Sequence, residues 1–147
     1  MVKIDDYWGV KKQFKEPIRL HHNLHHYYDL NQLGLNQLGL IGKKGEYRAS
    51  FDEMVDLFGE PTWLYDKQGG GDGKTSTEWE FIWEQKDKPV YLDIYDYKQT
   101  AMYNWNYQRP DELRQSGERI RWSIGSNVSH DKIKDMIKKW KGIVIGR

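Results

Sequence analysis

Residues 76–84 alternate. Trp79, Phe81 and Trp83 fall on one side, and Glu78, Glu80, Ile82 and Glu84 on the other. A period of two marks an extended strand with one buried face, and an amphipathic helix does not produce it. The pattern returns at 90–97, where Val90, Leu92 and Ile94 oppose Tyr91, Asp93, Tyr95 and Tyr97. It returns again at 118–124, where Ile120, Trp122 and Ile124 oppose Arg119, Arg121 and Ser123. Gln85-Lys86-Asp87-Lys88-Pro89 joins the first two stretches, so an antiparallel hairpin is expected there.

Two helical signals frame these strands. Ser50 and Glu53 make a capping box, and Phe51, Met54, Val55 and Phe58 recur at helical spacing. Gly59 and Pro61 stop the helix, so the spacing predicts a two-turn helix over 51–58. Ser129 is the expected cap of a second helix, with Ile133, Met136, Ile137 and Trp140 as its apolar stripe. Lys132, Lys134, Lys138, Lys139 and Lys141 line its polar side. The expected fold is α+β: an antiparallel sheet of three to four strands, a short helix before it and an amphipathic helix after it. Residues 98–117 read as a long polar link. An N-terminal arm, residues 1–45, precedes a single α+β domain over 46–147. The arm holds a tandem Leu-Asn-Gln-Leu-Gly repeat (30–39) and ends in a loop at Gly42-Lys43-Lys44-Gly45.

The chain has 147 residues and no cysteine, which fits one domain and excludes disulfides and thiolate chemistry. With 7 Trp and 10 Tyr it is not a disordered chain. It has neither a signal-peptide pattern nor the roughly 18 consecutive apolar residues of a membrane helix, so a cytoplasmic location is expected. The net charge of +1 hides an asymmetry: 12 acidic and 5 basic residues over 50–98, 10 basic and 5 acidic over 99–147.

Four clusters offer chemistry. Gly69-Gly70-Gly71-Asp72-Gly73-Lys74-Thr75 imitates a phosphate loop, but Gln68 stands where the first glycine belongs and a strand follows instead of a helix. A glycine-rich loop is the better reading. His21, His22, His25 and His26 offer two i, i+4 pairs that could chelate a metal on a helix, but no metalloprotease motif accompanies them. They are weak metal candidates, and no cofactor is expected. The carboxylates Glu78, Glu80, Asp93 and Asp96 are expected to oppose Arg119 and Arg121 in a cross-strand charge ladder. Tyr95, Tyr97, Tyr103, Trp105, Tyr107 and Arg109 are the residue types that anchor interfaces. His130 reads as cap-region surface.

The run Tyr47 to Pro61, the pairs Lys74-Thr75 and Glu78-Trp79, the stretch Ile94-Tyr95-Asp96-Tyr97-Lys98 and the strand Trp122-Ser123-Ile124-Gly125 together form a pattern. Over residues about 42–141 it resembles small uncharacterised α+β accessory proteins encoded by bacteriophages and large DNA viruses. Residues 99–117 depart from it as an insertion. The resemblance implies a viral accessory protein without an assigned activity, acting in the host cytoplasm. The expected function is therefore non-enzymatic: binding and inhibition of a host protein, a defence nuclease in the manner of an anti-CRISPR, anchored by Tyr95, Tyr97, Tyr103, Trp105, Tyr107 and Arg109. The alternative is a protein that binds or sequesters a nucleotide or single-stranded nucleic acid through Lys74, Arg119, Arg121, Lys134 and Lys138.

Overall fold

Ser50 opens the first helix as its capping box requires. Its side chain accepts from the Glu53 amide at 3.1 Å, and the Glu53 carboxylate accepts from the Ser50 amide at 2.8 Å. The helix runs Phe51–Phe58, and Gly59, at φ 82°, ends it. These facts come from a computed structural model that describes residues 16–20, 41–65, 74–85, 88–101 and 103–146. Its elements, in chain order, are β1 (Ile18–Leu20), β2 (Gly42–Ala49), α1 (Phe51–Phe58), β3 (Trp63–Leu64), β4 (Thr77–Trp83), β5 (Val90–Tyr95), α2 (Pro110–Ser116), β6 (Ile120–Ser126) and α3 (His130–Lys141).

The fold is α+β. Among the described residues six strands form one sheet in the order β1-β4-β5-β6-β2, with β3 also paired to β4. Every pairing is antiparallel, including the β4–β5 hairpin that the alternation predicts. The expected count of three to four strands is too low. β1 is too short for periodicity to show, and β2 spans residues 42–45, expected to be a loop. The buried positions of β2 are Gly45 and Ala49, so it lacks the large apolar residues that reveal a strand. A side chain at Gly45 would meet the Gly146 carbonyl at 2.7 Å, because the C-terminal tail runs against β2.

The link 98–117 contains a helix, α2, contrary to expectation. Pro110 occupies its first turn, Asp111 and Glu112 follow, and Gly117 takes the left-handed conformation after it. Proline inside the start and glycine beyond the end are the usual marks of a helix, but α2 has too few apolar residues to show a stripe.

One face of the sheet carries Trp79, Phe81, Leu92, Ile94, Trp122 and Ile124, packed against Met54 and Phe58 of α1, Leu113 of α2 and Ile133 and Ile137 of α3. The buried tryptophans also satisfy their indole N–H groups. Trp79 donates to the Gly59 carbonyl at 2.8 Å and Trp122 to the Ala49 carbonyl at 2.9 Å. Trp140 is half-buried against Phe58, Phe81 and Trp83. Trp63 is half-buried and donates its indole N–H to Glu80 at 3.1 Å. His130 is not simply surface. It is half-buried, with Nδ1 against the Lys44 carbonyl. Among the described residues no helix is long and apolar enough to cross a membrane.

Candidate functional site

The loop that leaves β5 turns sharply at Lys98. Its φ of 59° is left-handed, a region a lysine seldom adopts, and its amide donates to the Lys74 carbonyl at 2.7 Å. The turn brings the Lys98 ammonium to 4.9 Å from the ring centres of both Tyr97 and Tyr103. The ammonium is held above the usual lysine range by a hydrogen bond with Tyr97, and then by the charge of the two tyrosines.

Beneath this loop lies a cleft of about 680 Å³. Tyr97, Lys98, Tyr103 and Tyr107 line it from the loop, and Lys43 of β2 and Arg121 of β6 line it from the sheet. Lys43 pairs with Glu46, and together with the nearby Arg121 it keeps the Glu46 carboxyl below the ordinary glutamate range. Leu113, Ile120, Ser123 and the carboxylates Glu46 and Glu118 complete the lining. Flat rings beside cations and apolar side chains are the parts from which sites for ring-bearing anions are made.

The two sets of residues expected to bind separate partners therefore partly converge. Tyr97, Tyr103 and Tyr107, from the protein-binding set, share the cleft with Arg121, from the nucleic-acid set. The other residues lie outside its lining. Tyr95 is half-buried on the same sheet face and stacks edge-on against Tyr97 at 6.1 Å. Trp105, in the same loop, is 80% exposed. Arg109 precedes α2 and grips Asp111 through two hydrogen bonds of 3.2 and 2.9 Å. Arg119 pairs with Glu53 at 3.1 Å and donates to the Arg48 carbonyl. Lys74 is exposed beside the cleft loop, while Lys134 and Lys138 sit on α3. His21, His22, His25, His26 and the glycines 69–73 lie outside the described residues.

Sequence reasoning missed Lys43, Glu46 and Lys98. The first two sit on the unrecognised strand β2, and nothing in a linear pattern announces the turn at Lys98. Register supplies the missing link: β2 pairs with β6 so that Glu46 faces Ser123 and Lys43 faces Gly125.

The charge ladder is corrected. Arg119 is engaged by Glu53, and Arg121 lines the cleft with Lys43 and Glu46. The carboxylates instead divide between the two sheet faces. Asp96 is buried, and its carboxylate accepts from the amides of Ser76 at 2.8 Å and Thr77 at 2.9 Å, and from the Ser76 hydroxyl. Burial outweighs these donors and lifts its pKa to about 6. Glu78, Glu80 and Asp93 lie on the opposite face as a group. Burial pushes the Asp93 carboxyl well up, helped by a hydrogen bond with Glu78 and the charges of Glu78 and Glu80. Burial likewise raises the Tyr91 hydroxyl, which donates to Glu80.

No protein-family model matches this chain, and comparison with curated proteins gives no significant match.

Proposed function

We propose that this chain is a non-enzymatic binding protein whose cleft takes an anionic ligand with a flat ring: a nucleotide, or a short single-stranded nucleic-acid segment. One observation carries this reading. Three tyrosines (97, 103 and 107) and three cations (Lys43, Lys98 and Arg121) line a single cleft of about 680 Å³. The volume falls within the range of roughly 300–1,000 Å³ that small-molecule sites occupy. A base would stack on the tyrosine rings, and its phosphates would meet the ammonium and guanidinium groups. Calorimetry with a panel of mono- and dinucleotides and a short oligonucleotide tests this reading. Binding that weakens with added salt supports it. No heat from any of them at low salt overturns it.

A second reading is a viral protein that binds and inhibits a host protein, such as a defence nuclease, in the host cytoplasm. The exposure of Trp105, beside the half-exposed Tyr103 and Tyr107, favours it, since such aromatics anchor protein interfaces. The resemblance to phage-encoded proteins supplies its setting. Its test is capture of a single host protein by the wild type and loss of that capture by Trp105→Ala. Equal capture by both would sink Trp105 as the anchor.

A further inference from the structure

Lys98 differs from the other two cations of the cleft in what holds it. Lys43 is paired with Glu46 at 2.5 Å, and Arg121 acts on the same carboxylate. The Lys98 ammonium instead lies 4.9 Å from the ring centres of both Tyr97 and Tyr103 and hydrogen-bonds with both side chains. Neutral phenols hold an ammonium less firmly than a carboxylate or phosphate oxygen does.

The backbone takes a strained form to put the ammonium there. Among the described residues Lys98 is the only one besides glycine with a positive φ, 59°. Strain of this kind persists where the surroundings enforce it, and it collects at ligand sites. The surroundings here are firm. The Lys98 amide donates to the Lys74 carbonyl at 2.7 Å, and the Ala101 amide donates to the Gln108 carbonyl at 2.7 Å, closing the loop at its base. Inside the loop the Tyr103 amide donates to the Thr100 carbonyl at 3.0 Å. A tied backbone therefore carries the two rings, while the ammonium ends a flexible stem and is the part that moves most easily. The rings are 39% and 47% exposed, so a ligand ring can reach them.

Given the reading of the cleft as a nucleotide site, on which this rests, we propose that Lys98 is the residue that makes the cleft select phosphorylated ligands. Its ammonium holds the place beside the Tyr97 and Tyr103 rings until a ligand ring takes that place, and the ligand's phosphate then takes the ammonium. An uncharged nucleoside has to displace the ammonium and offers it nothing in return. A nucleotide displaces it and supplies a charged acceptor. Apparent affinity falls with the fraction of molecules whose binding place is open, so the contact of Lys98 with the rings weakens nucleoside binding, and only a phosphate offsets that loss.

The test is calorimetry on the full chain at low salt, with each common nucleoside beside its 5′-monophosphate. The wild type should prefer the monophosphate by about thirtyfold or more. Lys98→Gly suits the left-handed turn and removes the side chain. It should bind the monophosphate about tenfold more weakly and the nucleoside roughly threefold more tightly, so that the preference shrinks by about thirtyfold. Lys98→Asn also tolerates the turn and keeps the backbone stiffer, and it should reproduce both changes if Lys98→Gly loosens the loop or fails to fold. Nucleoside binding that weakens along with monophosphate binding overturns the proposal, since Lys98 then only pins the rings. Unchanged nucleoside binding overturns it as well, since Lys98 is then a phosphate contact and nothing more. In both cases the cleft remains a nucleotide site. A wild type that binds no monophosphate overturns the nucleotide reading itself, and this role of Lys98 with it.

Discussion

Asp93 and Asp96 lie three residues apart and meet opposite surroundings. Asp96 continues the helix-covered side of β5, where three donors from Ser76 and Thr77 close around its carboxylate. Asp93 points to the other side, where Glu78 and Glu80 crowd it and one of its oxygens accepts no hydrogen bond. The helix-covered face is filled and satisfied, as a structural core should be. The other face is also buried in part, at Leu20, Glu80, Ile82 and Tyr91, and it carries the acidic group on β4 and β5 and the exposed cations Lys43 and Arg121 on β2 and β6.

The strongest way to break this contrast is to open the covered face. Trp79→Ala should cost about 3–5 kcal/mol by chemical denaturation, since it empties a fully buried site and orphans the Gly59 carbonyl. A loss well under 1 kcal/mol would show that this face is not the main core.

Asp96→Asn sharpens the contrast through pH. The wild-type carboxyl titrates near 6 when folded, against 3.8 ordinarily. A raised folded pKa means that the folded state holds its proton more tightly than the unfolded chain does. The associated stability is present in full below pH 3.8 and is lost as pH rises through about 6. The lost amount is about 3 kcal/mol, two units at roughly 1.4 each. Asn keeps an oxygen for both amides and an NH₂ for the Ser76 hydroxyl, and it does not ionise. The variant should therefore gain on the wild type by about 2.5 kcal/mol between pH 4 and pH 7 in paired denaturation curves. Parallel pH profiles would show that Asp96 does not titrate in this window.

At the cleft the effects should fall on binding. Arg121→Ala and Lys43→Ala should each weaken nucleotide binding about tenfold, the effect of one charge-assisted contact, and flatten the salt dependence. Thermal midpoints should barely change. Unchanged affinity in both would remove the cleft from the ligand's path. Trp105→Ala should have the smallest effect on folding, within about 0.5 kcal/mol, because a side chain 80% exposed makes few contacts to lose. A larger loss would mean that Trp105 belongs to the fold.

Much of the covered face is legible in the sequence because large apolar residues repeat at the period of the element that buries them. Trp79, Phe81 and Trp83 mark β4, Ile120, Trp122 and Ile124 mark β6, and the Ser50 box marks α1. β2 is hidden because glycine and alanine occupy its buried positions. α2 is hidden because Pro110 and Leu113 are its only buried residues. Tyr97, Tyr103 and Tyr107 stand out as candidates by type alone, while Lys43 and Lys98 do not.

The sequence by itself determines which side of β4, β5 and β6 meets the helices, where α1 begins and ends, where α3 begins, and the α+β class. These follow from local periodicity and caps, which act over a few residues. Tertiary structure alone decides that β2 joins β6, that Lys98 turns back between two tyrosines, and that Glu78, Glu80 and Asp93 share one spot. Those meetings depend on strand order and register, which set the distance between residues far apart in the chain.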